Sequence, residues 1–273
     1  MNADIDYEVE YNNRARVPEN PAIMAGWAKD AAAYRERHAP RAIAYGPGAR
    51  NTIDFFAGNN NERPIVVFIH GGYWQALDGS FFSHLAGGLN AHGISVAIPS
   101  YDLCPAVTVD QIIQQMRMAT RELARLGRSL VISGHSAGGH LAACMLATDW
   151  PAYDASLPRE LVVAAYAISG LFDLGPLVGT SINKALQLND LTARAASPLF
   201  WKAPARGSLD AVVGANESAE YFRQSKTIVE HWGAAGIATR FGVVPDANHF
   251  TAIAPLADPG SSMTLRLKEL AAR

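Results

Sequence analysis

Gly134-His135-Ser136-Ala137-Gly138 is the stretch that decides the fold. It fits the spacing G-x-S-x-G, and its surroundings put it at a sharp turn from a strand into a helix. Ser129-Leu130-Val131-Ile132-Ser133 comes before it, a short β-branched run ending in small residues. Gly139-His140-Leu141-Ala142-Ala143-Cys144-Met145-Leu146 comes after it, small, apolar and compatible with a helix. A serine on such a turn is held in a strained conformation with its hydroxyl projecting beyond the sheet, the geometry of a nucleophile. The pattern alone is common enough to arise by chance in a chain of this size. The flanking strand and helix give it meaning.

Outward from the turn, strand-like runs are expected at 42–45, 52–56, 65–69, 94–98, 130–133, 162–168, 211–213 and 239–243. Helical patterns lie between them at about 27–37, 81–91, 108–126, 137–148, 218–232 and 262–272. Short, apolar, fully buried runs alternating with helices predict a mostly parallel sheet covered on both faces. The first two runs, around Gly46-Pro47-Gly48, predict an antiparallel hairpin at its edge. The 273 residues form one α/β domain by this reading. The stretch 170–205 breaks the alternation, is rich in Leu, Pro and Ser, and is expected to form a small cap or substrate wall, with the N-terminal segment as a second contributor.

Composition narrows the function. A 49% apolar and 18% charged chain with a formal charge of −2 has the balance of a soluble globular protein. It offers no electrostatic case for nucleic acid or an anionic membrane. No secretory signal and no apolar run long enough to span a bilayer is visible, so the cytoplasm is the expected location. Cys104 and Cys144 match no metal or redox spacing, and buried thiols are expected. No metal or cofactor is implied. The expected partner is a small amide or ester substrate, and self-association is left open.

A nucleophilic serine needs a base, an acid that orients the base, and donors for the oxyanion. Candidates occur in the chain order Ser, acid, His that this architecture uses. His249, in Asn248-His249-Phe250, follows the last strand-like run in a loop from which it can reach back over the sheet. Seven other histidines compete. His135 and His140 are expected to orient or pack the turn, and His70 opens a different motif. Glu217 follows a strand and opens a helix, as the acid should. Asp246 is its rival and Asp173 a weaker one. His70-Gly71-Gly72-Tyr73-Trp74 has a glycine pair directly after a strand, where N–H groups can approach a carbonyl without interference from a Cβ. Gly71, Gly72 and Ala137 are therefore the expected oxyanion donors. Tyr73, Trp74 and Phe172 are candidate aromatic walls for an aryl group.

Together these stretches resemble the α/β-hydrolase superfamily, and within it the kynurenine formamidase (arylformamidase) branch of the esterase/lipase group. The likeness also runs through Tyr11-Asn12-Asn13-Arg14, Tyr101-Asp102-Leu103-Cys104-Pro105, Ile168-Ser169-Gly170-Leu171-Phe172-Asp173-Leu174-Gly175-Pro176-Leu177 and Glu217-Ser218-Ala219-Glu220-Tyr221. It implies cofactor-free hydrolysis of an N-formyl aryl amide through an acyl-enzyme on Ser136, with His249 as base. The family acid is usually aspartate where this chain has Glu217. A carboxylesterase acting on short-chain or aryl esters is the alternative, and a catalytically silent binding protein the third possibility.

Overall fold

The computed structural model describes residues 5–60 and 62–272. Eight strands form one sheet: β1 (Arg41–Ala44), β2 (Thr52–Phe56), β3 (Ile65–Ile69), β4 (Val96–Pro99), β5 (Leu130–His135), β6 (Val162–Ile168), β7 (Ser208–Gly214) and β8 (Ala238–Val244). Their order is β1-β2-β4-β3-β5-β6-β7-β8. β2 pairs antiparallel with β1 and β4, and every later pairing is parallel.

The helices are α1 (Tyr7–Tyr11), α2 (Asn13–Arg16), α3 (Asn20–Arg37), α4 (Ala86–Asn90), α5 (Val109–Ala124) and α6 (Ala137–Ala147), then α7 (Trp150–Tyr153), α8 (Asn183–Leu186), α9 (Asp190–Ala195), α10 (Ala219–Ala234) and α11 (Ser262–Leu270). Strand side chains alternate between two cores. Ile65, Val67, Ile69 and Ile132 face one core with α5, α6 and α10, whereas Val66, Phe68 and Val131 face the other with α3, α4 and α11. α5 shows why its sequence folds as it does. Thr108 and Gln111 form a capping box, and Val109, Ile112, Ile113, Met116, Ala119 and Leu123 bury a single helical stripe.

Three elements depart from expectation. The helix expected at 81–91 is a 3-10 segment, Gly79–Leu85, followed by the short α4; Gly87 and Gly88 weaken helix propensity there. α3 begins earlier than expected, because Pro21 occupies the first turn, where its missing N–H costs nothing. Residues 7–16, polar and without an expected element, form α1 and α2, each started by a side-chain cap, Asp6 and Asn12.

The topology positions the site. The chain runs from β3 to β4 on one side and then to β5 on the other, so β3 and β5 flank the point where strand order reverses. Ligands of open α/β sheets bind there, beyond the carboxyl ends of the strands. The register brings those ends level: Ile69 pairs with Gly134, His135 with Ile168, Ile168 with Val212, and Gly214 with Val244. No helix among the described residues is long and apolar enough to cross a membrane.

Candidate active site

Ser136 is the single residue between β5 and α6, at φ 57° and ψ −117°. A side chain rarely adopts that conformation, and it persists only where its surroundings enforce it. Here the Ser136 N–H donates to the Ile168 carbonyl at 2.8 Å, and the Ser136 carbonyl accepts from the His140 N–H at 3.1 Å. Gly138 completes the constraint. A Cβ at that position would lie 1.9 Å from the Ile69 carbonyl oxygen, so only glycine lets α6 start this close to β3.

His249 lies in the loop after β8 and Glu217 in the loop after β7. His249 Nδ1 donates to Glu217 Oε2 at 2.6 Å. The other carboxylate oxygen, Oε1, accepts from the Gly214 N–H at 2.7 Å and from the Ser169 hydroxyl. Both oxygens are thus fixed in a side chain only 1% exposed. With its Nδ1 proton given to Glu217, His249 keeps a bare Nε2 that can accept a proton. Asp246 does not meet His249. It is exposed, and its contact with the neighbouring loop is its backbone carbonyl, which accepts from Asn216 Nδ2 at 3.1 Å. Asp173 uses its carboxylate on the N–H of Gly175.

His135 pins the base from below. Its Nε2 lies 2.8 Å from the His249 carbonyl, which can only accept, so that nitrogen carries the ring proton. The two rings pack at 4.7 Å. Burial pushes the His135 imidazole well below its ordinary range, and the nearby His249 adds to the shift, so His135 stays neutral. His140 packs elsewhere, with Nε2 on the Ala196 carbonyl at 2.7 Å.

The glycine pair after β3 is oriented by two side chains. Tyr101 donates to the His70 carbonyl at 3.0 Å, and His70 Nδ1 donates to the Gly71 carbonyl at 2.7 Å. In a trans peptide the carbonyl and the following N–H point in opposite directions. Fixing these two carbonyls therefore fixes the Gly71 and Gly72 N–H groups, neither of which has a hydrogen-bond partner among the described residues. The His70 ring lies between Tyr101, at 4.2 Å, and Phe82, at 6.1 Å, and burial lowers its pKa to about 4. Gly72 has φ +106°, and Tyr73 and Trp74 follow at φ 49° and 56°, so the loop turns back through three left-handed residues. The Ala137 N–H is at the first position of α6, where no intrahelical acceptor exists.

These groups open on one cavity of about 400 Å³. Gly71, Gly72, Ser136, His135 and His249 form its floor, and Tyr73 lines it. Two expected wall residues do not. Trp74 is fully buried and packs edge-on against His140 at 5.1 Å, because the left-handed turn carries it into the core. Phe172 is also fully buried, in the same core beside Gly170. From 170–205 only Ser181 and Ile182 reach the cavity; most leucines of that stretch are core.

The larger wall is the N-terminal segment, through Glu8, Tyr11, Asn13, Arg14, Met24 and Trp27. Tyr11 anchors it by donating to the buried Glu220 at 2.7 Å, and Gln224 Nε2 donates to Tyr11 at 2.9 Å. Sequence reasoning assigned no site role to Tyr11, Asn13, Ser169 or Tyr221. The one signal was the presence of all four in stretches that carry the family likeness: Tyr11-Asn12-Asn13-Arg14, the run from Ile168 to Leu177, and Glu217-Ser218-Ala219-Glu220-Tyr221. Among the described residues no group of three or more His, Cys, Asp or Glu is arranged to hold a metal ion.

Comparison with known proteins agrees with this architecture. A family model for the alpha/beta hydrolase fold matches residues 66–252. Kynurenine formamidase of Danio rerio is 29% identical over 239 residues, covering 84% of this chain and 80% of that protein. Kynurenine formamidase of Drosophila melanogaster is 29% identical over 244 residues, with the same coverage of 84% and 80%. A crystal structure from Silicibacter sp. TM1040, of a protein provisionally described as a thioesterase, superposes with a TM-score of 0.86 at 33% identity, over 98% of this chain and all of the other.

Proposed function

This chain belongs to the α/β-hydrolase family, and we propose that within it the protein is a serine hydrolase that cleaves an N-formyl aryl amide, of the N-formylkynurenine kind, to the aryl amine and formate. One observation carries the chemistry: His249, held by Glu217 at 2.6 Å, lines the same cavity as the strained Ser136. The similarity to two kynurenine formamidases over 84% of the chain supports the choice of acyl group and leaving group. Glu8 and Arg14 line the cavity and offer one charge of each sign to the carboxylate and ammonium of an aryl amino acid.

The steps follow from the groups present. His249 Nε2 takes the Ser136 proton as Oγ attacks the formyl carbon. The oxyanion is held by the N–H groups of Gly71, Gly72 and Ala137. Each such donor is commonly worth about 3–4 kcal/mol of transition-state stabilisation. Glu217 keeps the imidazole in the tautomer that leaves Nε2 bare and stabilises the imidazolium that forms. The imidazolium then protonates the leaving nitrogen, the C–N bond breaks, and the aryl amine departs. Water, activated by the same imidazole, attacks the formyl ester and releases formate with Ser136 restored.

The same machinery cleaves esters, and the likeness to a protein provisionally described as a thioesterase keeps a carboxylesterase as the second reading. The test is kcat/KM on N-formylkynurenine, read as formate release, against short p-nitrophenyl esters. A clear preference for the formyl amide supports the proposal; a clear preference for the esters transfers it to the second reading.

A further inference from the structure

Two cores meet at the cavity and give it unlike walls. Met24, Trp27, Leu77 and Phe250 line it from the core of α3, α4 and α11, on one face of the sheet. Tyr11, Tyr73 and Ile182 line it from the core of α5, α6 and α10, on the other face. The second wall is tied by hydrogen bonds. The Tyr73 hydroxyl donates to the Tyr11 carbonyl at 2.7 Å and lies 2.7 Å from the Tyr221 hydroxyl, which accepts from Asn13 Nδ2 at 2.7 Å. Next to Ile182, Ser181 donates its N–H and its hydroxyl to the Glu8 carboxylate, each at 2.7 Å. The first wall is apolar: its four side chains carry one polar hydrogen between them, on the Trp27 indole.

That apolar wall is a packed aromatic surface that reaches the base. Met24 and Trp27 stand three residues apart on α3 and so share a helix face. The Trp27 ring packs on Phe250 at 6.0 Å and on the fully buried Phe82 at 5.3 Å. Phe250 directly follows the base, and its ring meets the His249 ring edge-on at 5.8 Å. Tyr221 and His135 also pack on His249, each at 4.7 Å, but Tyr221 does not line the cavity and His135 belongs to its floor. In acyl transfer the imidazolium gives its proton to the leaving atom, so the leaving group lies against His249. The side wall it meets there is Phe250, and beyond it Trp27. A formyl group brings one carbon and needs no such wall. An aryl amine brings a flat apolar ring that does.

We propose that Trp27 and Phe250, flanked by Met24 and Leu77, form the leaving-group subsite, that it takes an aryl ring, and that Trp27 sets a preference for aryl over alkyl leaving groups. The ring packs there as aromatic pairs do, offset or edge-to-face. The contact is made alike in the ground state and the transition state, so it shows in KM more than in kcat. The inference rests on the acyl-transfer reading above and gives the aryl part a place that the buried Trp74 and Phe172 do not supply.

The test is Trp27→Leu, which removes the indole and keeps the wall apolar. kcat and KM are measured on phenyl formate and methyl formate, which differ only in the leaving group. Formanilide and N-methylformamide give the same comparison for amides. The expected result is a fall of about tenfold in the phenyl-to-methyl ratio of kcat/KM, carried by KM. An unchanged ratio, with losses equal on both substrates or absent from both, would overturn the inference and leave the formamidase reading standing. Methyl benzoate carries its ring on the acyl side. If Trp27→Leu lowers kcat/KM on methyl benzoate and not on phenyl formate, the wall serves the acyl group, and the inference and the formamidase reading fall together. A wild-type protein that cleaves phenyl formate but no anilide would overturn the formamidase reading alone. If Trp27→Leu does not fold, Met24→Ser, at a half-buried position on the same wall, is measured on the same pair. The ratio should then fall about threefold, and an unchanged ratio would refute the proposal.

Discussion

His249 Nδ1 and Glu217 Oε2 lie 2.6 Å apart although 32 residues separate them, and the second oxygen of that carboxylate is fixed by the Gly214 N–H and the Ser169 hydroxyl. Glu217→Gln keeps the shape but replaces the acceptor of the imidazole proton with an amide that can present its NH2 instead. kcat should fall by roughly 10²–10⁴-fold, as expected when the imidazole tautomer is no longer fixed. Asp246→Asn alters an exposed carboxylate outside this network and should leave kcat within about twofold. Steady-state kinetics of the two variants on one substrate decide the point; a larger loss from Asp246→Asn would transfer the role.

Ser136→Ala should abolish turnover and leave the fold intact. The side chain contributes little to packing, while the φ of 57° at that position is imposed by the backbone around it. Activity measured beside a thermal unfolding curve checks both halves. Turnover within tenfold of the wild type would remove Ser136 from the nucleophile role.

Tyr101→Phe should reach the oxyanion donors without touching substrate. It deletes the 3.0 Å bond to the His70 carbonyl that fixes the Gly71 peptide. Loosening a donor is milder than deleting one, so a fall in kcat of about tenfold is expected, with a smaller change in KM. The buried carbonyl left without its partner should also lower stability by about 1–3 kcal/mol. A variant that loses stability but keeps its kcat would show that the glycine loop does not need this tether.

The strand-to-helix turn and the order of the catalytic groups were legible because each is a local pattern: β-branched strand, small residues, helix. The eight strands were legible for the same reason. The cavity wall was not. α1 and α2 span five and four residues, too few for a periodic signal, and only their caps Asp6 and Asn12 mark them. Sequence proximity also misled. Trp74 stands two residues after Gly72, but its left-handed backbone sends it into the core. The Asn13–Tyr73–Tyr221 cluster joins residues up to 208 apart, a separation that no motif spacing reveals.

Acid should unfold the protein through its buried imidazoles. Burial lowers His70 and His140 from about 6.5 to about 4 in the folded chain. Both are neutral when folded, and protonation favours the unfolded chain. Their stability contribution is therefore complete above about pH 6.5 and is lost progressively as pH falls toward 4, by on the order of 1–2 kcal/mol for each histidine at pH 5. The unfolding midpoint should drop between pH 7 and pH 5, and His140→Gln should make that drop shallower. A midpoint flat across this range would contradict the burial argument.

The central claim concerns the acyl group, and its most direct test is kcat/KM for formyl, acetyl and butyryl amides of one aryl amine. A site built for a one-carbon acyl group should penalise bulk on that side and tolerate it on the leaving side. Each methylene that does not fit costs roughly 1–3 kcal/mol, or about 10–200-fold. The account predicts formyl above acetyl and acetyl above butyryl. Butyryl amides turned over faster than formyl amides would contradict it, and would leave a hydrolase with the same catalytic groups but a carboxylesterase's pocket.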